Sequence, residues 1–88
     1  MTINDYADAI NAQIDLTRYA NQGNRWTAKF YGCEISDCGC LVGEYGNADS
    51  PTASIADYVA KIRNKKIVFH AMSDSRREFV VPDSLTAE

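Results

Sequence analysis

INDYADAINAQIDLTRYAN, residues 3–21, is the stretch whose reading decides the fold, because it opens the chain either as one long helix or as a shorter one followed by something else. Thr2, three residues before Asp5, offers a hydroxyl to a free backbone N–H at a helix start, and the acid favours the positive end of the helix dipole. Ile3, Tyr6, Ala7, Ile10, Ile14 and Thr17 then recur at spacings of three and four, which makes a single apolar stripe. Gly23 supplies a residue that can take the left-handed conformation at a helix end. The pattern predicts an amphipathic helix near residues 3–21.

From Arg25 the period changes to two, with Trp26, Ala28 and Phe30 alternating with Thr27, Lys29 and Tyr31 as in a half-buried strand. Ser36-Asp37-Cys38-Gly39 carries turn chemistry, and Leu41 to Tyr45 is read as the returning strand. Gly46-Asn47-Ala48-Asp49 reads as a loop. Ser50-Pro51 then combines a side-chain cap with a proline in the first helical turn, where its missing N–H costs little. The second helix is expected through about Arg63. Its stripe is Ile55, Tyr58, Val59 and Ile62, and its wet face carries Asp57 and Lys61 four residues apart. Ile67-Val68-Phe69 and Phe79-Val80-Val81 flank the polar turn Ser73-Asp74-Ser75 and form a second hairpin.

The order αββαββ follows: an α+β fold in which one four-stranded antiparallel sheet is covered by two amphipathic helices. Eighty-eight residues are enough for one core and too few for two, so residues 1–88 are read as a single domain. The expected core face is Trp26, Phe30, Leu41, Ile67, Phe69, Phe79 and Val81. The opposite face would carry Tyr31, Cys33, Val42, Val68, His70, Met72 and Val80, more apolar than water tolerates, which points to cover by a partner or by a second copy in a homodimer, or else to helices divided between both faces.

Composition narrows the function classes. The chain is 45% hydrophobic and 24% charged, the profile of a folded globular domain. No stretch is apolar enough to span a membrane, and the N-terminus shows no export signal, so a cytoplasmic location is expected. Three cysteines, two of them one residue apart, fit reduced thiols better than a disulfide framework. The net charge of −3 is unevenly spread: residues 1–60 hold eight acids and three bases, residues 61–88 four acids and six bases.

Candidate chemistry is sparse. Cys33, Cys38 and Cys40 with His70 are zinc-type ligands, but their spacing departs from paired knuckles, so no metal or other cofactor is assigned. A thiol activated by His70 would have no third member. The glycines lack the phosphate-loop spacing. Lys61, Arg63, Lys65, Lys66, Arg76 and Arg77 form a basic segment, yet the acidic balance of the whole disfavours direct nucleic-acid binding. The chain is therefore read as a non-enzymatic binding protein. Tyr6, Tyr19, Tyr31, Tyr45 and Tyr58 are candidate aromatic anchors, and Asp8, Asp15, Glu44 and Asp57, with Tyr31 and Tyr45, are the expected partner-binding residues, giving a mixed charged and aromatic surface.

One resemblance sharpens this reading. Thr52-Ala53-Ser54-Ile55-Ala56-Asp57-Tyr58-Val59-Ala60-Lys61-Ile62, then Lys65-Lys66-Ile67-Val68-Phe69 and Arg76-Arg77-Glu78-Phe79-Val80-Val81-Pro82, resembles small uncharacterised proteins of bacteriophage and prophage genomes. In size and acidic charge alone the chain is also similar to phage anti-CRISPR proteins. That resemblance implies a protein in the cytoplasm of an infected bacterial host that binds and inhibits a host defence complex, such as a CRISPR nuclease complex, by covering its surface. A small metal-binding or DNA-binding regulatory domain is the alternative.

Overall fold

In the computed structural model, which describes residues 1–23 and 25–88, helix α1 runs only from Ile3 to Ile10. Its start is the expected one: the Thr2 hydroxyl accepts the Asp5 N–H at 3.1 Å. Its end comes earlier. Asn11 adopts a left-handed conformation with φ 55°, and its N–H and that of Ala12 bond back to Asp8 and Ala7. Arg77 closes the same end, donating to the carbonyls of Ile10 and Asn11 where the helix dipole is negative. The second half of the predicted helix is instead strand β1, Ile14–Tyr19. Ile14, Thr17 and Tyr19 are β-branched or aromatic, so those residues suit a strand as well as a helix, and a partner strand decides between them.

That partner is β2, Arg25–Phe30, paired antiparallel from Ile14 opposite Phe30 to Tyr19 opposite Arg25. A tight turn at Tyr31 and Gly32, with Gly32 at φ 68°, leads into β3, Cys33–Asp37, which the sequence reading left between its strands. The expected turn lies at Cys38 and Gly39, both with positive φ as a two-residue hairpin requires, and β4, Cys40–Val42, returns from it. β5, Gly46–Ala48, occupies the predicted loop. Helix α2, Pro51–Ile62, starts as foreseen with the Ser50 hydroxyl accepting the Ala53 N–H at 3.1 Å. β6, Lys66–Phe69, and β7, Arg77–Val80, form the second hairpin.

Among the described residues the protein is α+β with two α-helices, but the single four-stranded sheet of the αββαββ order gives way to two antiparallel sheets. One is ordered β1-β2-β5 and the other β4-β3-β6-β7. The step from β2 to β3 carries the chain from one sheet to the other. A core between them gathers Ile3, Tyr6, Ile10, Phe30, Cys33, Tyr58, Ile62, Ile67, Phe69, Val81 and Leu85. Fully burying side chains of this size stabilises by roughly 1.5–3 kcal/mol each, so Phe30, Phe69 and Ile67 outweigh any surface pair.

Two expectations about faces change. Trp26 lies at the rim, half-buried, and Leu41 is exposed. Cys33 and Val42 point to the core side of their sheet, since they stand opposite Phe69 and Ile35 in register. Val68 is on the outer side but fully buried, flanked by Glu34 and Glu78, with Lys66 bridging Glu78 at 2.6 Å. The predicted apolar second face therefore does not form, because its members divide between core, covered and exposed positions. No helix among the described residues is long and apolar enough to cross a membrane.

Candidate functional site

The outer face of the three-stranded sheet is a groove of about 410 Å³, lined by Asp15, Thr17 and Tyr19 of β1, Arg25, Thr27 and Lys29 of β2, and Tyr45 and Asn47. Alternation builds it. Even-numbered residues of β1 and β2 share the face of Ala28 and Phe30, which leaves the odd-numbered ones on the opposite, solvent side. Register then sets Asp15 opposite Lys29, Thr27 between Thr17 on one side and Asn47 on the other, and Tyr19 opposite Arg25. One tyrosine therefore stands at the Arg25 end. The other, Tyr45, precedes β5 at the Lys29 end.

Side-chain contacts fix several of these groups. Gln13 donates to Asp15 at 2.8 Å, and Arg25 Nε donates to the Asn47 side-chain oxygen at 3.0 Å. Behind Asn47, its backbone N–H bonds the Asp57 carboxylate at 2.9 Å. Lys61 reaches the same carboxylate at 3.0 Å, the Glu44 carboxylate at 4.0 Å and the Tyr45 carbonyl at 3.0 Å, with its ammonium 5.9 Å from the Tyr45 ring centre. The Asn47 N–H, and then Lys61, hold the Asp57 carboxyl below the ordinary carboxylate range.

Of the residues expected from sequence, Asp15 and Tyr45 meet in the groove, and Glu44 and Asp57 stand at its rim around Lys61. Tyr31 does not join them: it packs edge-on against His70, 6.1 Å between ring centres, beside a second, shallower groove. Asp8 sits exposed on α1, away from both. Tyr19, one of the five candidate anchors, lies in the groove, and sequence reasoning missed Thr17, Arg25, Thr27, Lys29 and Asn47. For all but Asn47 the signal was the run of polar odd-numbered residues on either side of Gly23, hidden by the helical reading of residues 14–19.

The basic segment is largely engaged within the fold. Arg77 caps α1, Arg63 donates to the Leu85 carbonyl at 2.7 Å, and Lys66 and Arg76 both bridge Glu78. The cysteines separate: Cys33 is buried, whereas Cys38 and Cys40 are exposed at the β3–β4 turn. Among the described residues no three His, Cys, Asp or Glu side chains are placed to hold a metal ion.

Comparison with known proteins adds no relative. No protein-family model, curated protein or solved structure matches the chain. The functional reading rests on the groove itself. It presents hydroxyls and an amide that donate or accept, two cations, a carboxylate, and two tyrosines 41% and 45% exposed.

Proposed function

We propose that this chain is a binding protein that occupies a surface of a macromolecular partner, using the outer face of the three-stranded sheet. The observation that carries the reading is the placement of Tyr19, Arg25 and Tyr45 around one solvent-facing groove. Tyrosine and arginine are enriched among the residues that dominate binding energy at protein interfaces. Thr17, Thr27 and Asn47 between them add hydrogen bonding that adapts to the partner, as small polar residues do in binding loops. Three cations, Arg25, Lys29 and Lys61, are matched by Asp15, Glu44 and Asp57 in and around the groove. Electrostatics therefore steers and orients such a contact, while the aromatic anchors supply its strength.

The sharpest form of the proposal is inhibition of a bacterial host defence complex by occlusion, an anti-CRISPR activity in a phage-derived protein. Occlusion asks for no chemistry in the groove, only a rigid face, and a paired sheet provides one. Plating of phage on a CRISPR-immune strain tests this form directly. Expression of the chain restores plaque formation, and a Tyr19→Ala, Tyr45→Ala double variant that melts normally does not. Unrestored plating by the wild-type chain, with no co-elution of chain and purified nuclease complex, rejects the anti-CRISPR form.

A further inference from the structure

Strand β1 is an edge of its sheet, since the order is β1-β2-β5. Natural edge strands are usually short, bulged or marked by proline or lysine, which discourages pairing with another chain. β1 has no bulge, proline or lysine, and its charges are confined to Asp15 and Arg18. It is six residues long, it stays in continuous register with β2, and Leu16 is 42% exposed. The direction of its backbone groups follows from one bond. Tyr31 N–H donates to the Gln13 carbonyl at 2.8 Å, at the place where the ladder sets Gln13 opposite Tyr31. Bonded and non-bonded pairs alternate in an antiparallel ladder, so Gln13, Asp15 and Thr17 bond towards β2, and Ile14 and Leu16 direct their N–H and C=O groups outward.

We propose that a second copy of this chain adds its own β1 antiparallel to this edge, with the two-fold axis at Leu16, so that two three-stranded sheets become one continuous sheet. A two-fold axis perpendicular to the sheet keeps each face on its own side, so residues of the same parity must stand opposite one another. Centring on Leu16 sets Leu16 against Leu16 of the second copy and places each Asp15 beside a Thr17 whose hydroxyl donates to the carboxylate. Centring on Thr17 would set Leu16 beside the Arg18 guanidinium and Asp15 beside Tyr19. Both registers give Asp15 a hydroxyl donor, and the first also sets Ile14 beside Arg18, so the choice rests on Leu16, an exposed apolar side chain that only the first register covers with its own kind. β1 carries one acid, Asp15, and one base, Arg18, so two copies meet without net repulsion. The union brings the two grooves side by side with Asp15 and Thr17 at the seam. Edge pairing covers a small area, so the association is concentration-dependent.

Sedimentation equilibrium from micromolar to millimolar protein tests the proposal, together with amide exchange at both ends of that range. The mass rises from 9.8 kDa towards twice that value, and the Leu16 amide becomes protected only at high concentration. Leu16→Lys sets like charges directly opposite and weakens the dimer by at least about tenfold, with an unchanged melting profile. A monomer at millimolar concentration overturns the proposal. So does a dimer in which the Leu16 amide exchanges as in the monomer, which would put the contact elsewhere, for example around the exposed Val80.

Discussion

The hydroxyl oxygen of Tyr58 accepts the backbone N–H of Phe30 at 3.2 Å, and in doing so it continues a sheet beyond the end of its strand. Trp26 and Ala28 stand opposite Ala48 and Gly46, but β5 begins at Gly46, so Phe30 is one step past its last partner. The helix supplies what the strand lacks. The Phe30 and Tyr58 rings meet edge-on at 5.7 Å and 84°, and both residues are almost wholly buried. Burial, and then the neighbouring Cys33 thiol, push the Tyr58 hydroxyl above its ordinary range, so it keeps its proton.

Tyr58→Phe keeps the ring and removes the acceptor. A buried N–H left unsatisfied costs about 1–3 kcal/mol, so urea unfolding should show a stability loss of that size without a change in slope. An unchanged midpoint would mean that the Phe30 N–H finds another acceptor.

Helix α2 crosses the β5 strand where only glycine fits. A Cβ on Gly46 would run into the Ser54 carbonyl oxygen and lie 2.6 Å from the Tyr58 nitrogen, and neither backbone atom can swing aside. Gly46→Ala should therefore cost at least about 2 kcal/mol through overpacking. Gly43→Ala is the control: its Cβ meets nothing within 4 Å, and it should change stability by no more than about 0.5 kcal/mol. Thermal unfolding of the two variants separates close packing from the general effect of losing a glycine.

Burial pushes the Cys33 thiol up to about 11, while Cys38 and Cys40 stand in solvent. A thiol reagent at neutral pH should modify Cys38 and Cys40 quickly in the native protein and Cys33 only on unfolding. The raised value has a sign. Cys33 holds its proton more tightly folded than unfolded, so its contribution is complete below the ordinary thiol value of about 8.5 and is lost as pH rises through about 11. Cys33→Ala should flatten the alkaline fall of stability over that window. Buried Tyr58 and Tyr6, also shifted upward, would account for the part that persists.

Among the acids and tyrosines read from the sequence, position in the fold now ranks them. Tyr45→Ala should weaken partner binding by at least about tenfold, mainly through faster dissociation, as loss of an aromatic anchor does. Asp8→Lys, away from both grooves on α1, should leave binding within about twofold, since a distant exposed charge acts only through screened electrostatics. Surface plasmon resonance on the captured partner, at two salt concentrations, distinguishes the two. Equal losses from both variants would move the interface off the three-stranded sheet.

What could be read in the residues alone was what neighbours in the chain control. Thr2 and Ser50 cap their helices as expected, Cys38 and Gly39 turn the chain, Asp57 pairs with Lys61, and α2, β6 and β7 lie where their periods put them. Each of these depends on residues within about one turn of one another, whose preferences are written locally. Residues 14–19 were different. Ile14 and Thr17 satisfy a helical stripe, while the alternation of Ile14 and Leu16 with Asp15 and Thr17 satisfies a strand, and Asn11 gives only a weak local sign of the break. Pairing with Arg25–Phe30 settles the matter, and that pairing in turn raises the odd-numbered side chains into a groove. Gly46–Ala48 became a strand for the same reason, against β2 and under α2. Caps and turns follow from local chemistry. Strand partnership, and with it the separation into two sheets and the meeting of Tyr19, Arg25 and Tyr45, came from contacts between segments distant in the chain, where burial and backbone pairing together outweigh propensity.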